Sequence, residues 1–163
     1  RYQGVTGVQT CALPILKIFV DGDGSPVKET VIEVAVEKAL DVVIVTSVDH
    51  YSLKDYPENV SFVYVDKGAD AADFKIVQLI KKGDLLITQD YGLASLVLPK
   101  GVLVLHQLGY QYTKENIDGL LEQRYFSGQI RRKGGRTKGP KPFTDQDRTT
   151  FKQALIELVK RSL

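Results

Sequence analysis

LKIFVDGDGSPVK, residues 16–28, decides the fold. Leu16 to Val20 is a short apolar run that ends at Asp21, the pattern of a buried parallel strand followed by a functional turn. A helix start comes at once. Ser25 is a good N-cap and Pro26 suits the first helical position. Val27, Val31, Val34 and Ala35 then recur at helical spacing to about Leu40.

The same alternation repeats outward from this unit. Val42 to Thr46, Ser61 to Val65, Leu85 to Thr88 and Val102 to Leu105 read as further buried strands. Asp49 to Asn59 is irregular or a short helical turn. A helix is expected over Ala71 to Lys82, with Phe74, Val77 and Ile80 as its buried stripe and Gly83 as its stop, and a shorter one over Gly92 to Leu98, ended by Pro99. Strands alternating with helices imply parallel pairing with right-handed crossovers, so the expected fold is α/β, a three-layer α/β/α sandwich on a mainly parallel sheet. Thr113 can cap a helix from Lys114 to about Arg124, and Thr144 with Asp147 makes a capping-box-like start for a last helix, Asp145 to Lys160. Phe151, Leu155, Leu158 and Val159 give that last helix one apolar face to dock with. Ser127 to Pro142, rich in Gly, Lys and Arg and without hydrophobic period, is expected to be a loop.

At 163 residues the chain is the size of one domain, and 43% hydrophobic with 26% charged residues is a globular composition rather than a disordered one. The single cysteine, Cys11, excludes an intramolecular disulfide and a cysteine-rich zinc site, and suits a reducing cytoplasm. No apolar stretch approaches the roughly 20 residues of a membrane-spanning helix. Residues 1–14 show no structural period and no signal-peptide core. Their run GVQTCALPI resembles translated sequencing-adapter read-through, so they are expected to be a non-native or disordered extension to a single domain over 15–163. The net charge of +2 conceals an asymmetry. Residues 1–123 carry 11 basic and 17 acidic side chains, whereas residues 124–141 carry seven basic side chains and no acid.

Three strands are followed directly by aspartates: Asp21 and Asp23 after the first, Asp66, Asp70 and Asp73 after the third, and Asp90 after the fourth. In an open parallel sheet all the strand carboxyl ends lie along one edge, where ligands bind near the topological switch point. Carboxylates converging there repel one another, so either some take up protons or a cation neutralises them. All-oxygen donors select Mg²⁺ or Mn²⁺, which can orient and activate water and stabilise charge on a phosphoryl oxygen. Each acid also has an ordinary use. Asp70 can cap the helix at Ala71, Asp73 can complement its dipole, and Asp90 can begin the helix at Gly92. Asp66 and Asp84 read as plain turn residues. Asp21 has no capping duty when Ser25 is at hand.

Four stretches together resemble the YaiI/YqxD family of uncharacterised bacterial proteins: KIFVDGDGSPVK (17–28), GADAADFKIV (68–77), TQDYGLASL (88–96) and RRKGGRTKGPKPFT (131–144). The resemblance runs from about Leu16 to the end of the chain. That family is similar in turn to PIN-like domains, metal-dependent ribonucleases with an acidic cluster at the sheet edge. The resemblance implies Asp21 as the first acidic ligand, Asp73 or Asp70 as the middle one and Asp90 as the later one, with RNA the implied substrate. The family's first motif commonly reads DADACPVK; here Gly22, Gly24 and Ser25 stand for two alanines and a cysteine, so the motif keeps both aspartates and no thiol.

Arg131, Arg132, Lys133, Arg136, Lys138 and Lys141 form a cationic, glycine-rich stretch suited to phosphates, and Gly134, Gly135 and Gly139 let backbone amides approach an anion. A solvated charged loop is the plainer reading. Tyr125 and Phe126 can stack on bases, though core packing is their commoner use. His50 and Tyr51 follow the second strand and are candidates for proton transfer or surface positions alike, while His106 reads as structural.

Three functions are consistent with these residues. The first is a metal-dependent nuclease with catalytic Asp21, Asp73 and Asp90, Thr88 orienting a ligand or water, and a Mg²⁺ or Mn²⁺ ion held by these acids with Asp23 and Asp70. The second is a haloacid-dehalogenase-like phosphatase using Asp21 as nucleophile and Asp23 as acid/base. Against it, Asp84 precedes its strand instead of following one. The third is a non-catalytic nucleic-acid-binding protein.

Overall fold

The computed structural model describes residues 16–48, 55–68, 70–134 and 142–162. The extension 1–14, Cys11, His50 and Tyr51, and the cations Arg136, Lys138 and Lys141 with Gly135 and Gly139 lie outside the described residues. Six strands, β1 (Lys17–Asp21), β2 (Asp41–Ser47), β3 (Val60–Val65), β4 (Leu85–Ile87), β5 (Leu103–Leu105) and β6 (Gln111–Tyr112), form one sheet in the order β3-β2-β1-β4-β5-β6. The first five are parallel and β6 is antiparallel to β5. Among the described residues five α-helices accompany them, α1 (Lys28–Lys38), α2 (Ala71–Leu79), α3 (Tyr91–Val97), α4 (Lys114–Arg132) and α5 (Asp145–Ser162), with a short 3-10 turn at Leu98–Lys100.

The period of two along each strand explains the layers. Ile18, Val20, Ile44, Leu85, Ile87 and Leu105 face α1 and α5, meeting Val31, Val34 and Ala35 of the first and Phe151, Leu155, Leu158 and Val159 of the second. Phe19, Val45, Leu86 and Val104 face the other way, against Ala72 and Ile76 of α2, Leu93, Ala94 and Val97 of α3, and Ile117 of α4. Both faces are covered, so the strands are apolar throughout, as a parallel sheet requires. The expected α/β/α layering and the apolar face of the last helix are both present.

Four local expectations are corrected. Ser25 does not cap α1, which begins at Lys28. Residues 22–27 are used in a turn in which the Ser25 N–H donates to the Gly22 carbonyl, the Ser25 hydroxyl accepts from the Val27 N–H, and Arg148 holds the Pro26 carbonyl at 2.7 Å. The buried stripe of α2 is Ala72, Ile76 and, just past its end, Ile80, while Phe74 is 73% exposed. That helix stops at Leu79 because Ile80 is extended. The first part of the expected loop, Ser127 to Arg132, is helix instead: α4 continues to Arg132, and Gly134, at φ +83°, provides the left-handed exit that ends it, while residues 135–141 lie outside the described residues. The missing apolar period reflects that α4 packs through its first half, at Ile117, Leu120 and Leu121, and is largely solvent-facing beyond.

Candidate metal centre and adjoining cleft

The chain runs from β1 outward to β2 and β3, then returns to place β4 on the other side of β1. The switch point therefore lies between β1 and β4, where crevices form at the strand carboxyl ends. Val20 pairs with Ile87, so Asp21 and Thr88, the next residues of each strand, are neighbours. The Thr88 hydroxyl donates to Asp21 Oδ2 at 3.0 Å and accepts the Asp90 N–H at 3.0 Å. One buried hydroxyl thus ties the two acids together. Asp90 also caps α3, its Oδ1 accepting from the N–H groups of Gly92 (2.8 Å) and Leu93 (3.3 Å). The capping use and the site are served by one residue.

Asp73 lies in the first turn of α2, near enough to Asp90 for the two carboxyls to act on each other. Burial first, then the charges of Asp90, Asp21 and Asp70, push its carboxyl up to about 6. Asp21 is likewise pushed up to about 6, chiefly by burial; the Thr88 hydrogen bond opposes this, and the Asp90 and Asp23 charges add to it. Asp70 stands exposed at the N-cap position of α2 without a side-chain cap hydrogen bond, so its capping reading is not realised. Asp23 has a structural anchor at the end of β2: Oδ1 accepts the Thr46 hydroxyl at 2.6 Å and the Ser47 N–H at 3.0 Å. Gly22 makes this approach possible. Its N–H donates to the Val45 carbonyl at 2.8 Å, and a Cβ there would stand 2.8 Å from Ile44 Cγ2.

Asp21, Asp73 and Asp90 are therefore within electrostatic range of one another, with Asp23 acting on Asp21 and Asp70 acting on Asp73. Among the described residues, no three carboxylate, imidazole or thiolate side chains stand close enough to hold one ion together. The donor set suits Mg²⁺ or Mn²⁺ nonetheless, since these ions bind through one or two carboxylates and keep waters or phosphate oxygens for the rest. Asp84 is the turn residue expected of it, accepting the Lys81 N–H.

Arg131 and Arg132 occupy the exposed last turn of α4 and Lys133 is its C-cap. Tyr125 and Phe126 on the same helix are 59% and 56% exposed, which corrects core packing as their use. Beside the acids lies a cleft of about 610 Å³ lined by Gln89, Tyr91, His106, Gln107, Tyr110 and Phe143 among others. Sequence reasoning did not single out the glutamines or Tyr91 and Tyr110. Gln89 and Gln107 each stand two residues past the end of an apolar strand, while Tyr91 opens α3 and Tyr110 lies just before β6, with no such signal. His106 is structural as expected. It is buried, and its Nδ1 accepts the Leu108 N–H at 2.9 Å.

Among the described residues, no helix is long and apolar enough to cross a membrane. No solved structure matches the chain. The chain is 99% identical over 148 residues to a UPF0178 protein of Enterococcus faecalis (strain ATCC 700802 / V583), covering 91% of this chain and all of the relative. A UPF0178 protein of Bacillus cereus (strain ZK / E33L) is 56% identical over 144 residues, 88% of this chain and 99% of the relative. One from Oceanobacillus iheyensis is 49% identical over 146 residues, 90% of this chain and all of the relative. A profile described as "Uncharacterized BCR, YaiI/YqxD family" matches residues 19–161, and with it the chain is a member of the YaiI/YqxD family.

Proposed function

We propose that this protein is a divalent-cation-dependent nuclease, PIN-like in its chemistry, that acts on RNA. The observation that carries the reading is the convergence of Asp21, Asp73 and Asp90 at the switch point, with two of these carboxyls held at about 6. Burying and crowding acids in this way is costly unless a cation shares the site. A Mg²⁺ or Mn²⁺ ion bound directly by one or two of Asp21, Asp73 and Asp90, and reached by the others and by Asp23 and Asp70 through its waters, would supply charge to stabilise a phosphoryl oxygen and to activate water. Thr88 fixes the orientation of the Asp21 carboxylate and the start of α3 together, so the acids face the substrate from rigid elements. Arg131, Arg132 and Lys133 contribute phosphate contacts that position the strand.

The test is cleavage of single-stranded RNA by protein stripped with a chelator and reloaded with Mn²⁺ or Mg²⁺. Cleavage that disappears in the Asp21→Asn, Asp90→Asn double variant is the expected outcome. Equal activity in that variant removes the reading. Salt-dependent binding without turnover under any metal makes this a binding protein instead, and a fluoroberyllate adduct on Asp21 makes it an aspartyl-phosphate phosphatase.

A further inference from the structure

The cleft beside the acids has a composition unlike that of a phosphate site. Among the described residues lining it there is no lysine or arginine, and the one charged side chain, Asp147, accepts the Thr144 N–H at the start of α5. Its volume of about 610 Å³ falls within the roughly 300–1,000 Å³ of small-molecule sites. Its walls are flat rings and two primary amides.

The rings are arranged for stacking. Tyr110 and His106 lie parallel, with centroids 4.3 Å apart and planes 10° from each other. Tyr112 stands 5.6 Å from the first and 5.9 Å from the second at steep angles. A ring covering the far face of Tyr110 would be about twice as distant from His106 as from Tyr110. Tyr112, nearly equidistant, is therefore at the side of the pair. The far face of Tyr110 is left uncovered by either ring, and the residue is 37% exposed. Burial pushes the His106 imidazole down to about 4, so the pair is uncharged at neutral pH.

The amides supply direction. Gln89 and Gln107 line both this cleft and the small cavity that contains Asp21, Asp23 and Thr88. Each carries a donor and an acceptor, the pair of functions that a nucleobase edge presents. A planar group on Tyr110 would meet them while the chain attached to it passed the acids.

We propose that this cleft holds one unstacked nucleobase of a single strand, stacked on the outer face of Tyr110 and met at its edge by Gln89 and Gln107. The inference deepens the nuclease reading and rests on it for the meaning of the neighbouring acids, but base binding itself needs no metal. Stacking on an aromatic side chain is tolerant of base identity, and the two amides add a preference through their hydrogen bonds.

The experiment is a titration of the full chain in chelator with adenosine, uridine, cytidine and guanosine, followed by amide and side-chain NH₂ resonances. Ribose 5-phosphate serves as the base-free probe. The expected result is movement of the Gln89, Gln107 and Tyr110 signals with at least one nucleoside and none with ribose 5-phosphate. Tyr110→Ala should weaken nucleoside binding by about tenfold or more, while Tyr110→Phe restores it. Signals unmoved by every nucleoside, equal shifts with ribose 5-phosphate, or undiminished binding by a folded Tyr110→Ala protein would each overturn the proposal. Base binding by a protein that cleaves nothing with Mn²⁺ keeps this inference and loses the nuclease reading. Cleavage without base binding does the reverse.

Discussion

Asp21→Asn should make the metal-free protein more stable, and the size of the gain follows from the site. The carboxyl is held at about 6 rather than the ordinary 3.8. A displacement of about two pH units corresponds to about 3 kcal/mol of cost for the ionised form at pH 7. Asparagine of nearly the same shape carries no charge to bury and none to oppose Asp90 and Asp23, and its amide oxygen still accepts the Thr88 hydroxyl. Allowing for relaxation and water entry, the gain is about 1–3 kcal/mol. For a domain of this length that raises the melting temperature by about 2–10 °C.

The dependence on pH makes the prediction specific. Between pH 3.8 and about 6 the folded parent retains a proton on Asp21 that the unfolded chain has released. The parent's stability therefore falls as pH rises through that window. The variant lacks this loss, so the two proteins should melt alike near pH 3.8 and diverge up to about pH 6.5. His106 acts in the opposite sense in both. Its pKa is lowered from 6.5 to about 4, so stability is lost as pH falls through that range. Taking the difference between the two proteins cancels it. Thermal melts in chelator across pH 4–8 read the gap directly, and the reasoning is falsified if Asp21→Asn is no more stable at pH 7 or if the gap is flat with pH. A saturating divalent cation should then favour the parent, by about 2.7 kcal/mol at a hundredfold excess over the dissociation constant.

Thr88→Val removes the hydroxyl that lowers the Asp21 pKa and leaves the Asp90 N–H without its acceptor. It should cost about 1–3 kcal/mol in denaturant melts and move the acid limb of any cleavage activity to higher pH, with Thr88→Ser restoring both. Neutralising Arg131, Arg132 and Lys133 to glutamine should lower the slope of log affinity against log salt by up to about 2 for single strands, measured by anisotropy of a labelled oligonucleotide. An unchanged slope would take the end of α4 out of the phosphate contacts. Phe151→Ala empties a fully buried position where α5 packs on the core around α1, and should cost about 3–5 kcal/mol; a loss under 1 kcal/mol would mean that α5 is not docked there in solution.

How much of this was legible depended on whether a residue's position was set by period or by context. Leu16–Val20 and the stripe Phe151, Leu155, Leu158 and Val159 are periodic, so the first strand and the docked last helix could be read directly. In α2 apolar residues occur on more than one side, including Ala72, Phe74, Ile76 and Val77, so the sequence permits two phases; packing selected Ala72 and Ile76 and left Phe74 outside. β6 is two residues long, too short for any period, and exists because Tyr112 pairs with Val104. The acids were visible because strand-end aspartates are rare enough to notice. Gln89, Gln107 and Tyr110 are ordinary loop residues until the sheet order places the ends of β4 and β5 side by side.

Five aspartates separate into two physical kinds, and the separation favours the metal reading over a purely structural one. Asp84 and Asp147 each accept a backbone N–H across a turn or at a helix start. Asp23 accepts both a hydroxyl and a backbone N–H at the end of β2. These contacts tie turns, a strand end and a helix start together and stabilise the fold. Asp21 and Asp73 are instead pushed up by burial and by neighbouring acids, which for Asp21 outweigh the opposing Thr88 hydrogen bond. A fold with about 5–15 kcal/mol to spare carries an Asp21 cost of about 1–3 kcal/mol that a single asparagine would remove. Strain of that kind, at the switch point of a parallel sheet and beside a cleft, is what a site built to take a cation carries when the cation is absent, and it is the ground of the proposal. The cation that would relieve it is also the one the proposed chemistry needs, so stability and activity should respond to the same metal titration with the same midpoint.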